Sequence, residues 1–244
     1  ADGGDLILAP SRRIEALSGT VSLEATGNIL LDGQSLISTT SGDVQLTANG
    51  DISVYQIASL SGNIQATSAT GAVFDTNPAA GQLHFATSGL LSITASLGIG
   101  FNGTALTPFL VALGTFEAVT DTGGIFITSS SGFTTQGVRT LSGSAPVSMI
   151  SGGTLLLNGD AEGRAFAASG TLFLNAQGDL IQAAGTTITA GADAVVRAVG
   201  TLRVAGIHTP ANLALTAETL IGHPATTVTE ISAAGLLLSS VGHA

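Results

Sequence analysis

The chain contains no cysteine, no lysine and no tryptophan, and Tyr55 is its single tyrosine. Without cysteine there are no disulfides, no thiol nucleophile and no Cys-ligated zinc. Six arginines stand against 16 acidic residues, a formal charge of −10 over 244 residues. A nucleic-acid interface needs a basic stripe to displace counterions from phosphate, and none exists, so no nucleic-acid partner is expected. Attraction to an anionic lipid surface is disfavoured for the same reason. No apolar run approaches the roughly 18 residues of a membrane-spanning helix, so no membrane insertion is expected. The chain opens ADGG, with neither an initiator methionine nor a signal peptide, and reads as a mature chain or an excised segment.

Aliphatics, threonine and glycine are plentiful. Hydrophobic residues make up 44% of the chain and charged residues 9%, with 33 glycines. Disordered chains are poor in aliphatics, so a packed core is expected. The glycines carry a phrase, Gly-[Asp/Asn]-aliphatic, at Gly4-Asp5-Leu6, Gly27-Asn28-Ile29, Gly42-Asp43-Val44, Gly50-Asp51-Ile52, Gly62-Asn63-Ile64 and Gly178-Asp179-Leu180. A sister form, Gly-Thr-[Val/Leu], stands at Gly19-Thr20-Val21, Gly153-Thr154-Leu155, Gly170-Thr171-Leu172 and Gly200-Thr201-Leu202. Each phrase opens a short alternating run such as VSLEA, VQLTA or LFLNA. Alternation with period two puts the aliphatics on one face of a strand and polar residues on the other. Gly-Asp and Gly-Asn are expected at corners, the glycine taking a positive φ and the Asp or Asn bonding its own turn.

Spacing arranges the strands. Glycines 19, 42, 62 and 81 lie 23, 20 and 19 residues apart, and glycines 27, 50, 71 and 89 lie 23, 21 and 18 apart. Paired phrases marching at a near-constant interval describe a coil with several short faces. A β-sandwich also spaces strands regularly but does not require such pairs. The expected fold is therefore all-β, a single-stranded parallel β-helix of about 20 residues per coil, with about a dozen coils spanning some 60 Å. One domain covers 1–244, with an irregular section at about 103–150, where GTALTPFLVAL fits poorly as a turn. Seven of the nine phenylalanines fall between Phe74 and Phe133, which implies a thicker, ring-stacked core or an apolar patch for a partner.

The phrases SGTVSLEATGNILLDG and SGDVQLTANGDISV resemble the haemagglutinin-type repeats of filamentous haemagglutinin-like adhesins, clearly over 19–100 and more loosely over 151–206. That resemblance implies a right-handed parallel β-helix, an extracellular or cell-surface address and service as an adhesive or mechanical shaft. The family's secretion domain carries Asn-Pro-Asn. Here Asn77-Pro78-Ala79 only approaches it, so the segment reads as shaft.

Residues with chemical potential are few. Asp160, Glu162 and Arg164 form a charge cluster that flanking glycines mark as a solvated turn, and Arg12, Arg13 and Glu15 form a second on the first coil. Neither offers the converging acid and base of a glycosidase. His223 and His243 lie one coil length apart, and His84 and His208 stand alone. No zinc-protease, EF-hand, calcium β-roll, Walker or Rossmann signature occurs, so no cofactor or metal is expected. The sequon Asn102-Gly103-Thr104 and the Thr-x-Thr pairs at Thr187-Thr189 and Thr227-Thr229 are weak matches.

These observations favour a non-enzymatic, extracellular β-helical rod, with a β-helical polysaccharide-degrading enzyme as the alternative. The opening GGDLILA and closing GLLLSSVG are repeat-like. Leu6, Ile7 and Leu8, with Leu236, Leu237 and Leu238, are thus candidates for head-to-tail self-association or for contact with the rest of a longer rod. A host or cell-surface glycan or protein is the remaining partner class. The designated turn residues are Gly27, Asn28, Gly42, Asp43, Gly50, Asp51, Gly62, Asn63, Gly178 and Asp179.

Overall fold

A computed structural model describes residues 4–75, 82–101, 106–222 and 230–240. Among them are 28 strands and no helix. Every pairing between named strands is parallel, each strand resting on its counterpart one turn earlier. The molecule is a β-solenoid of about nine turns averaging about 23 residues. At roughly 4.8 Å per turn that is a rod of about 40 Å, shorter than a 20-residue coil would give.

Strands begin where the phrases place them. Leu6–Leu8, Ile29–Leu31, Val44–Ala48, Ile52–Ser53, Ile64–Ser68 and Leu180–Gln182 all start at the aliphatic residue of a Gly-Asp or Gly-Asn phrase. Inward positions stack in register, as in Val44 on Ile64 and Leu46 on Ala66, all fully buried. One continuous apolar cluster runs from Val21 to Ala217. Removing this surface from water is the main stabilising term, since no single turn can cover its own apolar side.

Turn length varies, because strands are held in register while the corners absorb insertions. The offset between paired strands is 23 residues at Val21–Val44, 28 at Ile57–Phe85 and 18 at Thr201–Thr219. Gly89 follows Gly62 one turn later, with Leu91 on Ile64, so the expected pairing of Gly62 with Gly81 does not hold. Gly81 itself lies outside the described residues. The wide turns enclose four of the phenylalanines: Phe85 and Phe109 meet edge to face at 5.0 Å, and Phe116 and Phe133 at 6.5 Å. The thicker core expected there is present.

In the irregular section the faces are redistributed. The lower turns have three faces, seen in Leu36–Thr39, Val44–Ala48 and Ile52–Ser53. Phe85–Ala95 and Phe109–Thr120 each run across two of them. Ile125–Ser129 then rests on both Ile99 and Phe109–Val111, fusing two faces into one. Phe133–Thr140 does the reverse. Its first half carries Leu155–Asn158 and its second half carries Phe166 and Ala167, so one face becomes two. The divergence begins at a β-bulge, where Phe116 and Ala118 face Thr135 and Val138, and the extra residue is supplied around Gly137 at φ +97°.

Among the described residues, the strands at either end of the stack pair on one side only. Leu6 and Leu8 take core-directed positions over Ile29 and Leu31, and Leu236 and Leu238 over Leu213 and Leu215. Leu236 and Leu238 are half exposed there, whereas Ile7 and Leu237 point outward at 62% and 63%.

Candidate functional site

The designated turn glycines do occupy corners, but not for their conformational freedom. Gly27, Gly42, Gly50, Gly62 and Gly178 have no positive φ. Gly27, Gly42, Gly50 and Gly62 are required by close approach, while at Gly178 a Cβ would fit tightly, 3.0 Å from the Thr154 nitrogen. A Cβ at Gly42 would stand 1.7 Å from the Gly19 carbonyl oxygen, and one at Gly62 would stand 2.2 Å from that of Gly42. Nor do the adjoining acids and amides bond their own turns. Asp5 Oδ1 accepts the backbone N–H of Asn28, Asn28 Oδ1 that of Asp51, and Asp51 Oδ1 that of Ala72, at 2.7–2.8 Å. Asp43 serves Asn63, which serves Leu90, and Asp179 serves Thr201. The side chains form a ladder between turns, each satisfying an N–H at a corner where the strand ladder begins.

A second ladder escaped sequence reasoning. Buried hydroxyls at strand ends donate to corner carbonyls: Thr39 and Ser59 to Gly42, Ser68 to Gly50, Thr87 to Gly62 and Thr120 to Gly123. Its signal was present, because Ser or Thr stands three residues ahead of the corner glycine at 39–42, 59–62, 68–71 and 120–123.

The outward side chains of one face build the most chemically endowed surface. Gln45 lies beside Gln65, Gln65 beside Ser92, and Ser92 beside Glu117. The bulge brings Gln136 next, and Gln136 pairs with Asn158. Three adjoining hollows follow this line, of about 240, 170 and 360 Å³. The first shares Ser92 and Glu117 with the second, and the second shares Glu117, Gln136 and Asp160 with the third. A larger hollow of about 530 Å³ lies elsewhere, over Ala58, Ala86 and Ala112. The hydroxyls of Thr39, Ser59 and Thr87 beneath it are committed to corner carbonyls, so it offers little beyond shape.

Face splitting produces the upper end of the polar line. Between Leu155–Asn158 and Arg164–Ala168 the chain makes the tight turn expected of Asp160, Glu162 and Arg164, with Gly163 at φ +76°. Asp160 Oδ1 accepts the N–H groups of Glu162 and Arg164 at 3.0 and 2.9 Å, and Oδ2 takes the Arg164 Nε–H at 2.9 Å. Arg139, on the split strand, reaches the same oxygen at 3.7 Å. Partial burial pushes the Asp160 pKa up, but the Arg164 and Glu162 N–H donors and the Arg164 guanidinium outweigh it, and the carboxyl is held below its ordinary value. The hydrogen bond from Arg164 to Asp160 raises the guanidinium's pKa in turn.

Two further charged pairs lie apart from this turn. Arg13 and Glu15 are an exposed pair at 3.5 Å. Asp75 and His84 form a buried pair, Nε2 to Oδ2 at 2.9 Å, with His84 Nδ1 accepting the Leu110 N–H at 3.0 Å. Since Nδ1 accepts, the ring proton sits on Nε2 and points at Asp75. Among the described residues no group of three or more His, Asp or Glu could hold a metal ion. His223, His243, the Asn102 sequon, Asn77-Pro78-Ala79 and the Thr227-Thr229 pair lie outside the described residues. No described helix is long and apolar enough to cross a membrane.

Comparison of the chain with protein-family models, with curated proteins and with solved structures finds no match.

Proposed function

We propose that the chain is a non-enzymatic structural or adhesive module of an extracellular bacterial surface fibre, joined end to end with further copies or with further turns of a longer rod. The observation that carries this reading is the pair of one-sided edges. Leu236 and Leu238 sit in core-directed register yet are half exposed, and at the opposite end Leu6 and Leu8 sit in core-directed register and are partly buried. Among the described residues these parallel edges pair on one side only, and an edge of that kind is a template for another coil. A heterologous contact of this kind propagates instead of closing. Lack of lysine and cysteine and the resemblance of the repeats to adhesin shafts agree with an exported rod.

Negative-stain microscopy and sedimentation of the purified chain test it. Filaments are expected, and Leu236→Arg with Leu238→Arg should reduce them to rods about 40 Å long. Discrete rods from the unaltered chain would remove head-to-tail stacking from the proposal.

The enzymatic alternative gains one observation, that Glu117 and Asp160 line the same hollow. It is the weaker reading, because Asp160 is already engaged by Arg164 and Arg139 and held ionised, leaving no second free carboxyl to act as an acid.

A further inference from the structure

We propose that the polar line from Gln45 to Asn158 is a binding groove for an extended, uncharged oligosaccharide strand lying along the rod axis. This goes beyond the rod reading and does not depend on the ends stacking.

The first argument is unspent hydrogen-bonding capacity. Elsewhere on this rod, polar side chains near the corners are consumed by the Asp/Asn and hydroxyl ladders. Among the described residues, the side chains of Gln45, Gln65, Glu117, Gln136 and Asn158 bond to no other residue. Four are carboxamides, which offer both donor and acceptor, as vicinal hydroxyl groups require. They sit at the floor and walls of three connecting hollows and not on a convex surface.

The second argument is dimension. Successive side chains along the line repeat at the interstrand spacing, and the five steps from Gln45 to Asn158 span about 24 Å. That length suits an oligosaccharide and leaves a monosaccharide touching only one or two rungs. Parallel stacking carries the groove along the rod axis, with one offset at the bulge between Glu117 and Gln136, and this course favours an extended glycan over a helical one.

Charge narrows the class. The lining includes Asp43, Glu117 and Asp160 against Arg139 alone, on a chain of net charge −10. Asp160 is neutralised by its guanidinium partners and Asp43 accepts the Asn63 N–H, so the lining keeps a net negative charge, with Glu117 its carboxylate that bonds to no other residue. Uronic-acid and sulfated glycans are repelled.

A peptide is the competing occupant, and the backbone argues against it. The strands of the floor, Val44–Ala48, Ile64–Ser68, Phe85–Ala95 and Phe109–Thr120, are paired on both sides. No free edge is available for strand addition, the usual source of sequence-tolerant peptide affinity. Hydroxyls need only the side-chain amides. The groove has no tyrosine or tryptophan on which a sugar ring could stack, so affinity rests on hydrogen bonds and grows with chain length.

Titration calorimetry of the full chain against cellohexaose, N-acetylated chitohexaose, hexagalacturonate and an extended Ser-Thr-Asn peptide tests this. At least one neutral hexasaccharide should bind with a dissociation constant of roughly 1 mM or below. The corresponding monosaccharide should bind at least tenfold more weakly. Gln136→Ala and Asn158→Ala, both on exposed positions, should each weaken binding about fivefold and together about 25-fold. Gln177→Ala, exposed and outside the hollows, should have no effect. Far-UV circular dichroism controls for folding of each variant. No neutral hexasaccharide bound at millimolar concentration, unchanged affinity in the double variant, equal binding of hexagalacturonate, or binding of the peptide instead would each overturn the proposal. Microscopy reads stacking separately, so failure of one result leaves the other intact.

Discussion

Gly42→Ala isolates the reason these corners demand glycine. The new methyl carbon would stand 1.7 Å from the Gly19 oxygen and 2.5 Å from its carbonyl carbon. Normal contact requires the two corners to part by about 1.5 Å, on a coil spacing of about 4.8 Å. Three hydrogen bonds meet at this corner: Thr39 and Ser59 donate to the Gly42 carbonyl, and Val21 N–H donates to the Asp43 carbonyl. Overpacking costs about 1–3 kcal/mol and weakened hydrogen bonds add about 1 kcal/mol each, while reduced unfolded-state entropy returns about 0.4–1 kcal/mol. The net loss is about 3–5 kcal/mol. Gly185→Ala makes the contrast, since a Cβ there has nothing within 4 Å but must take φ +74°. Left-handed strain of about 1–2 kcal/mol, less the same entropic return, leaves about 1 kcal/mol. Guanidinium unfolding followed by far-UV circular dichroism measures both. If Gly185→Ala proves the more damaging, or Gly42→Ala costs under about 1 kcal/mol, close approach is not why glycine stands at these corners.

Asp51→Ala should cost about 1–3 kcal/mol in the same unfolding assay, because the Ala72 N–H loses its acceptor, whereas Asp51→Asn keeps the oxygen and should fall within about 0.5 kcal/mol of the parent. A destabilised Asn variant would mean that charge, not acceptor geometry, matters at the ladder. Asp160 predicts a pH dependence. Its native pKa lies below the ordinary value of 3.8, so its contribution is complete above about pH 4 and is lost as pH falls through the lower native value. The difference in melting temperature between the parent and Asp160→Asn should thus be constant from pH 7 to about 5 and shrink toward pH 2. A difference that widens on acidification contradicts the assigned ion pairs.

Local alternation and the glycine phrases determined a good deal by themselves. They located strand starts at Leu6, Val44, Ile64 and Leu180, and the apolar side of each strand. They also placed the Asp160–Arg164 turn, because period-two patterning and turn chemistry are properties of five or six adjacent residues. The class of fold followed, since repeated short phrases cannot bury their apolar faces alone. What the phrases could not convey is which corner rests on which. Gly89, not Gly81, follows Gly62, because the register between turns is selected by packing of inward side chains while corners of any length loop outward. The same long-range selection fuses two faces at Ile125–Ser129, splits another at Gly137, and brings Glu117, Gln136, Arg139 and Asp160 to one groove from positions up to 43 residues apart. The glycines were legible as glycines. That they yield to a carbonyl one turn below, and that Asp and Asn reach up to the turn above, is decided only where coils meet, since both are contacts between residues some 20 positions apart.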